Sequence, residues 1–183
     1  MKTNNWQRPV IFFLMKSVPG AGEADDCESE RTGRTLPVSQ VVWELSHSIE
    51  TEASLAFAWA YMTDVANWSD PPAEFELEGP FVAGSHGITR TPGQEPRHWQ
   101  LREVIPMKSY SIEAPLDRAT ISFEWRFEGL TEGRTRLTQR ITLGGENAAA
   151  FLEQVQEAFA ASLPAGMTRI ATAMARAHDA GSA

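Results

Sequence analysis

The sequence predicts an α+β fold in which a single antiparallel sheet presents one apolar face to a long C-terminal helix. Three observations carry this. Apolar and polar residues alternate with a period of two in a series of short segments between Val41 and Leu143. Only one helical pattern interrupts that series, at Leu55–Val65. A final apolar stripe, Phe151, Val155, Phe159, Leu163, Met167, Ile170 and Met174, recurs at helical spacing and is the only element long enough to cover such a sheet.

The elements follow in order. Trp43, Leu45, His47 and Ile49 alternate with Glu44, Ser46, Ser48 and Glu50, which predicts a half-buried strand. Thr51 or Ser54 then opens an amphipathic helix through Leu55, Ala58, Trp59, Met62 and Val65, and Asp70-Pro71-Pro72 breaks the chain. Six strands follow. Phe75 and Leu77 mark the second strand of the chain, and Gly84 to Thr91 form a glycine-punctuated third. Trp99, Leu101 and Glu103 alternate up to Ile105-Pro106, and Tyr110, Ile112 and Ala114 form the next strand. Ile121, Phe123, Trp125 and Phe127, and then Leu137, Gln139, Ile141 and Leu143, complete an antiparallel meander joined by short turns such as Leu116-Asp117-Arg118 and Thr131-Glu132-Gly133. Within the closing helical region, Asn147 to about His178, Pro164 suits a first helical turn and not an interior. The expectation is a shorter helix ending near Ser162 and a main helix starting near Pro164.

The 183 residues suit one domain with an extension. The formal net charge is -8; residues 1–40 hold five charges of each sign, so the body carries the whole imbalance. An acidic body repels phosphate backbones and anionic membranes, which argues against nucleic acid as a partner. The apolar run Pro9–Met15 is too short to span a bilayer and lacks a small-residue cleavage site after it, so neither membrane insertion nor export is expected. Residues 16–39, rich in Gly, Ser, Thr and acidic side chains, offer too few apolar anchors to offset ordering entropy. Residues 1–40 are therefore predicted to be a largely disordered extension and 41–180 the folded domain. Met15 is an alternative start, and Pro9–Met15 an alternative docking element. The one cysteine, Cys27, excludes an internal disulfide and a thiolate metal cluster and fits a reducing cytoplasm; its neighbours Asp25, Asp26, Glu28 and Glu30 disfavour a reactive thiolate.

The order and the residues of Trp43–Trp68, Trp99–Pro106, Ala119–Leu130, Arg134–Leu143 and Leu163–Ala175 resemble the START/Bet v 1-like (SRPBCC) superfamily, in particular its polyketide cyclase/dehydrase-like branch of small bacterial proteins. The resemblance implies a helix-grip fold, a curved seven-stranded antiparallel sheet wrapped around the C-terminal helix, with a cavity for a hydrophobic small molecule between them. It also places Trp68 at the end of a D-x-x-x-W element, Asp64 to Trp68, where the indole folds back under the sheet and plugs one end of the core.

Strand alternation places three polar residues on the apolar face: His47, Glu103 and Gln139. Inward polar groups are costly unless satisfied, so these are the most informative positions in the chain. His47 is a candidate general base or ligand hydrogen-bond partner; the structural alternative is a core histidine satisfied by a neighbour. Glu103 is a candidate acid–base carboxyl, or the partner of an arginine such as Arg90 or Arg126. Gln139 would hydrogen-bond a ligand or another core residue. If Ile88 faces inward, so do His86 and Arg90, and Arg90 would bind a carboxylate or phenolate; an edge arginine in solvent is the alternative. Trp99, Tyr110, Phe123, Trp125, Phe159 and Met167 are expected in the core and, where the resemblance holds, in the cavity wall.

His98 is expected in solvent, and His178 near a helix C-terminus. The histidines lack metal-ligand spacing, no nucleophile motif is present, and no cofactor is implied. Three functions fit: a carrier or sensor of a hydrophobic or aromatic small molecule; an aromatase/cyclase-type enzyme using His47 or Glu103 as base, with Arg90 or Gln139 steadying an enolate; and a protein-interaction module.

Overall fold

The computed structural model describes residues 41–68 and 72–181. The extension 1–40, including Pro9–Met15 and Cys27, lies outside the described residues. Seven strands, β1 (Val41–Thr51), β2 (Glu74–Leu77), β3 (His86–Arg90), β4 (Arg97–Ile105), β5 (Ser109–Leu116), β6 (Ala119–Gly129) and β7 (Thr135–Gly144), form one antiparallel sheet in the order β1-β7-β6-β5-β4-β3-β2. Strands β2 to β7 are thus the expected meander, and β1 crosses back to pair with β7. Among the described residues three α-helices complete the fold: α1 (Leu55–Thr63), α2 (Leu152–Phe159) and α3 (Ser162–Gly181).

The local chemistry matches the elements. Ser54 caps α1, its hydroxyl accepting the Phe57 N–H at 3.3 Å. Asp64 ends α1 and accepts the Ala66 N–H into a short 3-10 turn that carries the chain to Trp68. Trp68 then folds back: its indole N–H donates to the Met62 carbonyl at 2.9 Å, and its ring meets Phe75, Phe81 and Trp99. Burial of an aromatic group of this size contributes on the order of 2–3 kcal/mol. Pro164 falls in the first turn of α3, and the α2–α3 break lies at residues 160–161, as its ring geometry requires.

Helix α3 buries Leu163, Gly166, Met167, Ala171 and Met174 under the sheet and runs closest along β1. The Thr51 hydroxyl at the end of β1 donates to the Ala171 carbonyl at 3.2 Å, tying helix to strand. Thr135 likewise donates to Ala53 at 2.8 Å. The core is continuous from the sheet to the helices and includes Leu101, Ile112, Phe123, Leu137, Ile141 and Phe159.

The opposite face of β1, β7 and β6 is a ladder of charged cross-strand pairs. Arg136 sits between Glu50 and Glu128 at 3.0 and 2.9 Å, and Arg140 between Glu44 and Glu124 at 2.6 and 3.6 Å. This is why those strands alternate Glu and Arg with apolar residues: one face meets the core and the other meets water. Among the described residues no helix is long and apolar enough to cross a membrane.

Candidate functional site

A polar row crosses the middle of the concave face of the sheet. Residues directly opposite in the ladders are His47 and Gln139 on β1 and β7, Gln139 and Trp125 on β7 and β6, and Trp125 and Tyr110 on β6 and β5. These four side chains lie side by side across four strands, a span of about 15 Å at ordinary inter-residue spacing. Apolar rows flank them on both sides. One is Leu45, Ile141, Phe123, Ile112 and Leu101; the other is Ile49, Leu137 and Phe127.

The row is deeply buried and short of partners. Gln139, Trp125 and Tyr110 are each 0% exposed, and His47 is half-buried at the edge strand. The Tyr110 hydroxyl, the Trp125 indole N–H and both amide atoms of Gln139 make no hydrogen bond to any described residue. The other buried tryptophans show the ordinary solution: Trp68 donates to Met62, and Trp99 donates to the Thr89 hydroxyl at 3.2 Å. Buried polar groups are almost always paired, so four unpaired atoms in one row are a clear departure from ordinary core packing among the described residues. Burial also pushes the Tyr110 phenol well above the usual tyrosine range, so it stays a neutral hydroxyl.

Aromatic side chains close one end. Tyr110 meets Phe81 at 5.1 Å, Phe127 at 6.0 Å and Trp59 at 6.2 Å, and Trp59 meets Phe127 at 5.2 Å. Phe123 meets Phe159 of α2 edge-on at 5.7 Å, and Met167 of α3 is buried at 1% exposure. His47, Trp99, Tyr110, Phe123, Trp125, Gln139, Phe159 and Met167 therefore all lie on the core side, as expected.

Two sequence-predicted site residues do not. Glu103 is exposed on the outer face, because β4 carries a bulge: Leu101 pairs with Ile112 but Glu103 pairs with Ser111, leaving Arg102 as an extra residue. The bulge reverses the alternation after Leu101 and turns Val104 inward in place of Glu103. Arg90 is also on the outer face, paired with Glu76 at 3.2 Å, and His86 is exposed with it. The inward positions of β3 are Gly87 and Thr89, because the Trp99 ring lies across Gly87; a Cβ there would fall 2.1 Å from that ring. Arg97 is the inward arginine that the sequence reading missed. It shares Trp99's parity on β4, is half-buried, and burial lowers its pKa from the ordinary guanidinium value. Two-residue spacing from Trp99 was the available signal. His98 is exposed and His178 lies in the last turn of α3, both as expected, and the His178 ring packs edge-on against Phe57 at 4.9 Å.

A depression of about 510 Å³ lies on the outer face and is lined by residues including Glu103, Lys108, Glu124, Arg126, Arg136 and Thr138. Arg126 is held by Glu124, and Arg136 by Glu50 and Glu128, in water-exposed pairs. Exposed pairs of this kind are weak and screened, and the depression offers none of the orphaned buried groups found on the concave face.

The architecture recurs in solved structures. Norcoclaurine synthase from Thalictrum flavum, solved with dopamine and hydroxybenzaldehyde, is 15% identical with a TM-score of 0.60 over 84% of this chain and 98% of that one. The Zhui aromatase/cyclase from Streptomyces sp. R1128 is 18% identical with a TM-score of 0.55 over 73% and 94% of the two chains. Ara h 8.0201 is 11% identical with a TM-score of 0.58 over 72% and 97%. These likenesses show a shared Bet v 1-like helix-grip fold. No curated protein sequence matches the chain significantly. The sequence of residues 42–175 does match the family described as polyketide cyclase / dehydrase and lipid transport, and the chain belongs to that family.

Proposed function

We propose that the protein binds a hydrophobic small molecule between the concave face of the sheet and α3. The observation that carries this is the row of orphaned polar atoms on Gln139, Trp125 and Tyr110, bounded by apolar rows and by the aromatic wall of Trp59, Phe81 and Phe127. A ligand there would be held by apolar burial and oriented by a few polar contacts, the usual composition of a small-molecule site. Membership of a family described by cyclisation, dehydration and lipid transport supports the same reading. Trp99, Phe123, Phe159 and Met167 are further wall residues in this reading, and a reducing cytoplasm is the compartment that fits a chain with one cysteine.

Native mass spectrometry of the full-length protein, before and after denaturing extraction, tests the proposal. A co-purifying small molecule, or saturable displacement of a polarity-sensitive dye by aromatic compounds, is the expected result. Protein that carries nothing and takes up no apolar probe overturns it.

A second reading, ring closure and dehydration of a bound poly-carbonyl chain, is favoured by one feature. His47 is the half-exposed end of the row and the only imidazole in it, next to the Gln139 amide. His47 would take the proton from an activated carbon while Gln139 and Tyr110 hydrogen-bond the enolate oxygen. Glu103 and Arg90 have no place in this scheme, since both face outward. Turnover that survives His47→Ala at the wild-type rate removes the histidine from it.

A further inference from the structure

The two edges of the sheet are unlike. At one end, β2 has four residues and the exposed carboxylates Glu74 and Glu76, the usual way of discouraging further strand pairing. At the other, β1 is an 11-residue strand without proline, glycine or lysine. Among the described residues β1 pairs with β7 alone, and from Trp43 to Thr51 that register is unbroken. Alternate backbone N–H and C=O groups along β1 therefore point away from the sheet. The side chains show the same opening. The inward row of β7, Leu137, Gln139, Ile141 and Leu143, is 0% exposed. The β1 residues directly opposite, Trp43, Leu45, His47 and Ile49, are only half-buried although α3 runs along that strand.

The chain carries a segment suited to this edge. Residues 1–40 join the domain at Val41, the first residue of β1. Within them, residues 9–15 are uninterruptedly apolar, and Val10, Ile11, Phe12 and Phe13 are of the β-branched and aromatic types that favour strands. Arg8 and Lys16 bracket that run. On β1 the exposed acids are Glu44 near its start, Glu50, and Glu52 just past its end. The outer spacings agree, since 8 to 16 and 44 to 52 are the same interval. An antiparallel register with Lys16 opposite Glu44 therefore puts Arg8 opposite Glu52. It also puts Ile11, Phe13 and Met15 opposite Ile49, His47 and Leu45 on the inward face. Pro9 falls at the first position of the added strand, where proline is tolerated. The linker, residues 17–40, has a root-mean-square reach of about 25–30 Å. The register asks it to span only about 11 Å, three residues along β1 and one strand across. Tethering of this kind gives an effective concentration in roughly the millimolar range.

We propose that residues 9–15 dock on β1 as an antiparallel edge strand, which closes the long open edge of the sheet and covers the half-exposed row that includes His47. Affinity comes from main-chain hydrogen bonds and from apolar burial of the inward row, the general mode of strand addition. A second copy of the chain suits the same edge less well. The body carries the whole net charge of -8, and two β1 strands paired about His47 set Glu44 opposite Glu50 on both sides of the axis.

Disulfide trapping in the full-length Cys27→Ser protein tests the proposal. Leu14→Cys with Ser46→Cys places two thiols directly opposite on the outer face, and under mild oxidation this pair is expected to close within one chain. Phe13→Cys with Ser46→Cys sets them on opposite faces and is expected to stay reduced. Hydrogen exchange gives a second readout without cysteines. Alternate amides of β1 should exchange about tenfold or more slowly in the wild type than in full-length Ile11→Pro/Phe13→Pro, the effect of one net backbone hydrogen bond. Failure of the first pair to close, equal closure of both pairs, or β1 exchange unaltered by the prolines overturns the proposal. A Ser46→Cys disulfide that forms only between two copies also overturns it, and assigns the edge to a dimer.

Discussion

Gln139→Met should make the ligand-free protein more stable. Gln139 is 0% exposed, and neither end of its amide has a partner among the described residues. Each unsatisfied buried group costs about 1–3 kcal/mol, and methionine fills a similar unbranched volume without carrying that cost. Its neighbours Leu137 and Ile141 on β7 are apolar and buried, so the new thioether meets hydrocarbon on both sides. The expected gain is therefore about 1–3 kcal/mol, or a rise in Tm of roughly 3–10 °C for a domain of this size. Urea unfolding followed by tryptophan fluorescence measures it, with the midpoint moving up and the slope unchanged. A loss of stability of about 1 kcal/mol or more refutes the reasoning, since it means that the amide makes hydrogen bonds worth more than its desolvation. The same variant should be stabilised less than wild type by a saturating ligand that hydrogen-bonds the amide. Stability gained and recognition lost at one residue is the pattern of a functional polar group kept at the expense of packing.

Three further outcomes follow from the geometry. Gly87→Ala should destabilise by about 1–3 kcal/mol in the same urea assay, because its Cβ would enter the Trp99 ring, which is buried and anchored to Thr89; unchanged stability would show that the ring can retreat. Arg90→Gln and Glu103→Gln should each leave stability within about 0.5 kcal/mol and ligand affinity unchanged, since both side chains face water on the outer surface; a clear loss of ligand affinity in dye displacement would return them to the site. Alkaline titration of the two tyrosines by phenolate absorbance should show Tyr61 ionising above the ordinary value and Tyr110 only at still higher pH or on unfolding. The sign is fixed by linkage. A phenol with a raised folded pKa keeps its proton while the unfolded chain loses it, so stability is full below about pH 10 and falls as pH climbs through the folded value. Reversible ionisation of both tyrosines together near pH 10 would contradict the burial of Tyr110.

Much of the fold was legible because it depends on short-range rules. Alternation of apolar and polar residues identified six of the seven strands and glycine punctuation the third, Thr51 or Ser54 signalled the start of α1, which Ser54 caps, and Pro164 marked where the C-terminal helical region divides. The inward parity of His47 and Gln139 was also visible, because β1 and β7 run without interruption at those positions. Where alternation broke, the reading failed. A bulge at Arg102 turned Glu103 outward, and the bulk of Trp99 over Gly87 set the face of β3 against the parity assumed from Ile88. Both depend on the partner strand, whose position no local pattern encodes.

The sequence by itself determined the elements, their order, and which face of most strands is apolar, because backbone geometry makes side chains alternate regardless of what lies opposite. Only the tertiary structure decided that His47, Gln139, Trp125 and Tyr110, spread over more than ninety positions of chain, meet in one row. Register between strands is set by bulges, turns and the packing of the whole core at once. That cooperative choice is what turns three buried residues of the meander and one of the first strand into a candidate site.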